Sequence, residues 1–197
     1  SVNLNSLRGF GNVRFYKKDI QGLCDSISYK EKDSTMELFH SPFLWSDKNQ
    51  ISGDFIQLKL WEGKINAMNI FNNSFILSMA DSVHFNQIKG KDMFSHFFKN
   101  QLKTIHVVGN GETIYYIESD SGESSVDYNK TQCSELTILL DSNQIETLNF
   151  NNQPTAVMNA VSSSNTEEQQ LDGFFWNSSS RPLKTEFIRN EKLDTRK

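Results

Sequence analysis

Four histidines, two cysteines and a scatter of carboxylates are the residues of this 197-residue chain whose types could do chemistry. Their spacing assigns them none. His40, His84, His96 and His106 include no pair at the spacing of a helical zinc motif such as HExxH, so no metal ligand set is expected. Cys24 and Cys133 make neither a CxxC pair nor a disulfide framework. Serines are common, but no GxSxG elbow is present to expose one as a nucleophile. The densest carboxylates, Glu118, Asp120, Glu123 and Asp127 in ESDSGESSVD, read as solvated surface. No two of them stand apart as the acid and base that glycoside hydrolysis needs. Trp45 and Trp61 lie where strands should end, suited either to rim packing or to a platform for sugar rings. The expectation is of a protein that is not an enzyme, with no catalytic residue, no metal and no cofactor.

Composition narrows the class further. A formal net charge of -4 is unsuited to phosphate backbones, which are neutralised by clustered Lys and Arg, so nucleic acid is not expected as a partner. No apolar run is long enough to span a bilayer, so no direct membrane span is expected. The start, SVNLNSLRGF, lacks the charged-then-apolar pattern of a signal peptide and fits a processed or trimmed chain. Hydrophobic residues make up 37% of the chain, yet Phe alone occurs 15 times. That combination suits sheets with one apolar and one wet face.

The elements that would position these residues come from an internal repeat. IQGLCDSISY begins at Ile20, ISGDFIQLKL at Ile51, IKGKDMFSHF at Ile88 and TQCSELTILL at Thr131. In this alignment Gly22, Gly53, Gly90 and Cys133 share one position. Each copy runs through a polar turn into a second apolar stretch. Asn72-Asn73, Gly109-Asn110 and Asn151-Asn152 mark places where the chain can adopt the positive φ of tight turns. The copies are unevenly spaced, which favours a meander over a β-helix of constant rungs. The fold class expected is all-β: an antiparallel sheet of about four imperfect strand repeats, with little helix. KDMFSHFFKNQLK, from Lys91, is the best helical candidate, and the repeat register claims it as strand.

Within the copies apolar residues alternate, the period of a half-buried strand. One face collects Ile27 and Tyr29; Ile56, Leu58 and Leu60; Met93 and Phe97; Leu136, Ile138 and Leu140. The following stretches add Met68 and Ile70, Ile105 and Val107, Leu148 and Phe150. The third stretches add Phe75 and Leu77, Ile114 and Tyr116. Such a face is either a filled core or the wall of a slot.

The chain divides into a β-repeat domain over 1–160 and a tail over 161–197. The tail opens with the polar bridge SSSNTEEQQLD, whose composition reads as an exposed linker. Phe174, Phe175 and Trp176 then form an aromatic cluster that should dock on a sheet or a neighbouring domain.

The I-x-G openings at Ile20, Ile51 and Ile88, the stretch YKEKDSTMELFHSPFLW, and the NNS, GNGE and NNQP turns together resemble the OstA-like (LptA-like) proteins of lipopolysaccharide transport. The likeness covers roughly residues 10–160, and LDGFFWNSSSRP looks like the end of some larger OstA-like proteins. The resemblance implies a folded-over sheet, a β-jelly-roll or β-taco, in the periplasm of a Gram-negative cell, where it would serve outer-membrane biogenesis. Its inner apolar face would bind the acyl chains of lipopolysaccharide or another acylated lipid. Its edges would pair with other OstA-like domains. The longer third connection, the Phe-rich strands and the aromatic tail depart from the short carriers of the family.

Overall fold

The computed structural model describes residues 5–99, 101–117, 127–141 and 144–187. Among the described residues twelve strands form a single sheet, and every pairing in it is antiparallel. In chain order they are β1 (Ser6–Lys17), β2 (Ile20–Lys30), β3 (Thr35–Phe39), β4 (Phe43–Ser46), β5 (Asn49–Ser52) and β6 (Phe55–Trp61). Then come β7 (Lys64–Met79), β8 (Phe85–Phe98), β9 (Gln101–Ile117), β10 (Asp127–Asp141), β11 (Gln144–Asn151) and β12 (Thr155–Ala160). The only helical elements among the described residues are three short 3-10 turns in the tail. The KDMFSHFFKNQLK stretch divides between β8 and β9, as alternation requires. Most of the ESDSGESSVD stretch lies outside the described residues.

The sheet is folded along one line, and the residues on that line explain the repeat. In β1, β7 and β9 the corner is a pair of adjacent positive-φ residues: Gly11 and Asn12, Asn72 and Asn73, Gly109 and Asn110. His40 and Ser41 repeat the pair between β3 and β4, and Asn152 and Gln153 repeat it between β11 and β12. Glycine and asparagine reach this region at low steric cost, which is why they dominate the corners. Intervening rungs turn the same corner at a small residue: Cys24 in β2, Gly53 between β5 and β6, Gly90 in β8, Cys133 in β10. A side chain on Gly53 or Gly90 would strike the opposing strand, since a Cβ there would lie 2.5 Å from Ile70 and 2.3 Å from Val107 respectively.

Two readings of the sequence change here. The Asn72-Asn73 and Gly109-Asn110 sites are not chain reversals; they bend one continuous strand, because each holds one residue more than its partner, a β-bulge. The first copy is also shifted by two residues. Gly22 pairs with Leu44 inside a leg, and Cys24 is the residue at the corner. Gly22 instead makes room for an aromatic ring, since Phe15 occupies the space its Cβ would need, at 2.2 Å.

Side chains tie the corner together. Asn73 donates from Nδ2 to the Asp54 carboxylate at 3.1 Å, the Asn72 backbone N–H donates to Asp92 at 3.0 Å, and the Ser74 hydroxyl donates to the Lys91 carbonyl at 2.9 Å. The Asp54 N–H donates back to the carbonyl of Asn72 at 3.0 Å. These bonds satisfy backbone groups that the bulge removes from the ladder. Folding produces two legs. The first contains β4, β5, β12 and the adjoining halves of the long strands; the second contains β3, β6, β11 and the other halves.

Candidate functional site

The interior between the legs is built from cross-strand rows. On the second leg one row runs Ile27, Leu38, Ile56, Ile70, Met93, Val107, Leu136, Phe150, each residue opposite the next. Beside it runs Tyr29, Met36, Leu58, Met68, Ser95, Ile105, Ile138, Leu148. Leu44, Ile51, Ile76 and Ile88 face them from the first leg. Leu38, Ile56, Ile70, Met93, Val107 and Leu136 are 0% exposed, so the two walls touch. Phe97 and Leu140 pack against this core, while Tyr29 and Leu60 are half-buried near strand ends. Among the described residues two buried side-chain polar atoms have no protein partner, the hydroxyls of Ser95 and Thr113, both on inward-facing rows.

Four residues expected on the inner face lie on the opposite one. Phe75, Leu77, Ile114 and Tyr116 form a second cluster with Tyr128 and Leu171 on the outside of the first leg. The reason is that the bulge is not a chain reversal. Because the corner bends the strand without ending it, counting in twos runs on from Met68 and Ile70 to Ser74 and Ile76, and from Ile105 and Val107 to Gly111 and Thr113, whereas a turn at these pairs restarts the count at Phe75 and Ile114. Sequence reading also missed Leu44, Ile51, Ile76 and Ile88. The Asn-Asn and Gly-Asn pairs were the signal that locates the corner.

The outer cluster is covered by the tail. Residues 169–187 cross the strands of the first leg from β8 to β1. Gln87 donates to the Gln169 carbonyl and accepts from the Leu171 N–H, both at 2.8 Å. Gln50 repeats the arrangement one strand pair away, donating to the Phe175 carbonyl at 2.6 Å and accepting from the Asn177 N–H at 2.7 Å. Arg181 donates from Nε to Gln21 at 2.8 Å, and Arg14 on β1 pairs with Glu186 at 3.0 Å. Phe174 and Trp176 both pack on Phe85, with ring centroids 5.5 and 4.9 Å away. Trp45 is buried beneath this strap with its indole N–H on Gln50, whereas Trp61 is exposed at the end of β6. The polar bridge is held as well: Asn165 and Glu168 bond reciprocally, and Tyr128 bonds Ser164. The last charged residues, 188–197, lie outside the described residues.

The ionisable groups near these faces are shifted by their surroundings. Burial, then the charge of Asp25, pushes the Cys24 thiol up to about 11. Burial also raises Cys133, against a backbone hydrogen bond from Glu135 that lowers it. Neither thiol is an activated nucleophile. Burial, then the neighbouring Tyr128 and Asp81, raises Tyr116 to about 12. Partial burial pushes the Asp81 carboxyl up, but hydrogen bonds from His84 and from the N–H groups of Val83 and His84 outweigh it and bring it down to about 2. The described residues contain no cluster of three metal-binding side chains. A polar groove of about 460 Å³ between Glu112, Gln132, Cys133, Asn152 and Thr155 lies at the corner of the last rungs. It offers little to an acyl chain.

A double-walled antiparallel sheet with a corner in every rung and an apolar interior defines a class, the LptA-like β-jelly-roll. Among solved structures the chain is similar to LptH, the LptA-homologous periplasmic component of the lipopolysaccharide transport device of Pseudomonas aeruginosa. The TM-score is 0.52 at 11% identity, over 71% of this chain and 92% of that one. The likeness is one of fold. No known family matches the sequence, and no curated protein does. None of the helices among the described residues is long and apolar enough to cross a membrane.

Proposed function

We propose that this chain is a periplasmic, non-catalytic module of lipopolysaccharide transport that shelters acyl chains between its two legs. One observation carries the reading: on a fold shared with LptH, the interior is lined along both legs by long apolar rows. An acyl chain placed there gains roughly 0.8 kcal/mol per buried CH₂. Because the walls touch, entry requires the legs to hinge apart about the corner line, so uptake is coupled to opening. Partner domains would add to the edges. Among the described strands β1 pairs with β2 alone, and its long exposed edge is of the kind that accepts another strand; the β11 and β12 rung forms the other edge.

The closed interior favours a second reading, a β-sandwich with a filled core that serves assembly alone. Incubating the protein with lipopolysaccharide and, separately, with its deacylated form distinguishes the two. Retention and a raised Tm with the acylated form alone is the outcome expected of a lipid carrier. No effect with either form supports the assembly module.

A further inference from the structure

The outer face of the first leg has the features of a peptide-reading site. Gln50 and Gln87 are 2% and 1% exposed. Burying a side-chain amide is costly unless its donor and acceptor are both used. Each glutamine uses them in the same way, donating to one backbone carbonyl of the tail and accepting from the N–H two residues on. That is the pair of groups an extended peptide presents along one edge, so each side chain stands in for a neighbouring strand. The contacts read backbone and carry no preference for side chain. Preference comes from the surfaces between them: Leu171 enters the cluster of Phe75, Leu77 and Ile114, while Phe174 and Trp176 close on Phe85. The segment joining the strap to β12 is largely exposed from Ser162 to Glu168.

We propose that this face is a binding site for a peptide of pattern Leu-x-Gly-Phe-x-Trp, turned at Gly173 between its two glutamine contacts and occupied here in cis by the chain's own segment 169–187, and that the segment can be exchanged for the same sequence supplied in trans. The site is independent of the interior between the legs, so it stands or falls separately from lipid binding. The test starts from the full chain carrying a protease site inserted after Thr166. The folded protein is cut, and a fluorescent synthetic peptide of residues 167–187 is added in excess. Saturable uptake of the labelled peptide, with release of the cut segment, is expected. The protein stays wild type at the site while the peptide is varied, so folding does not confuse the result. N-methylation at Leu171 or Asn177, which removes the N–H that Gln87 or Gln50 accepts, should weaken uptake about tenfold each, the loss of one buried hydrogen bond. The same methyl on Ser179, which neither glutamine touches, should leave uptake unchanged. A cut segment that never exchanges, or uptake equally tolerant of all three methyl groups, would overturn the proposal and make the strap a fixed part of the core.

Discussion

Gly90 and Val107 meet across the corner between β8 and β9, where a Cβ on the glycine would sit 2.3 Å from the valine Cγ1. Val107 is fully buried and β-branched, so it has neither room nor rotamer freedom to yield. Gly90→Ala should therefore destabilise the protein by about 1–3 kcal/mol, the usual cost of overpacking a core. Urea unfolding measures this directly. Val107→Ala alone should also destabilise, by leaving a cavity, but the double variant should be more stable than the sum of the two losses. Simple additivity would mean that the glycine serves something other than this approach.

The same corner marks how much of the molecule could be read from sequence. Alternation placed Ile56, Leu58, Met93, Leu136 and Ile138 on the inner wall because their strands continue unbroken from a small residue at the fold line. Register also carried Met68, Ile70, Ile105 and Val107, which precede a corner on their own strands. It failed for Phe75, Leu77, Ile114 and Tyr116, which follow one. Asn72-Asn73 and Gly109-Asn110 look locally like hairpin turns, and only the pairing across strands reveals that they bend a strand without ending it. The docking of Phe174 and Trp176 followed from their apolar surface in a polar tail. Their partner surface could not be read, because the glutamines that hold the tail, Gln50 and Gln87, are distant from it in sequence and resemble surface residues.

The two thiols should differ in reactivity. Alkylation requires thiolate, and burial holds Cys24 at about 11 as well as shielding it. At pH 8 the native protein should label far more slowly than the denatured chain. Cys133 is less buried and borders the polar groove at the last corner, so it should label before Cys24. Mass spectrometry of a timed iodoacetamide reaction gives the order. If Cys24 labels first, the first rung is less firmly packed than its 3% exposure implies.

Acid should loosen one turn selectively. The Asp81 carboxyl lies at about 2 in the folded protein against an ordinary value of 3.8. Its folded value is lowered, so its stabilising contribution is present above the unfolded value and is lost as pH falls through the folded one. Between pH 4 and pH 2 the His84 ring, 2.7 Å from Asp81 and stacked on Tyr116 at 4.7 Å, should lose its anchor. NMR chemical shifts of His84 and Val83 should follow that window, and Asp81→Asn should abolish the transition. A His84 response confined to higher pH would assign the change to the imidazole.

Thr113 offers a test that separates structural need from function. Its hydroxyl is buried on an inward-facing row with no protein partner, as is that of Ser95. A hydroxyl in that position carries a desolvation cost without a compensating bond. Thr113→Val keeps the shape and removes the polar atom, so the lipid-free protein should gain about 1 kcal/mol. Under the carrier reading these two unpaired hydroxyls would meet polar atoms of an acylated lipid held between the legs. The variant should then be more stable alone yet gain less Tm from lipopolysaccharide than the parent protein does. If the variant gains stability and its response to lipopolysaccharide is unchanged, the hydroxyls take no part in holding a guest. A loss of stability on its own would show that Thr113 has a hydrogen-bond partner in solution and that its hydroxyl is not unpaired there.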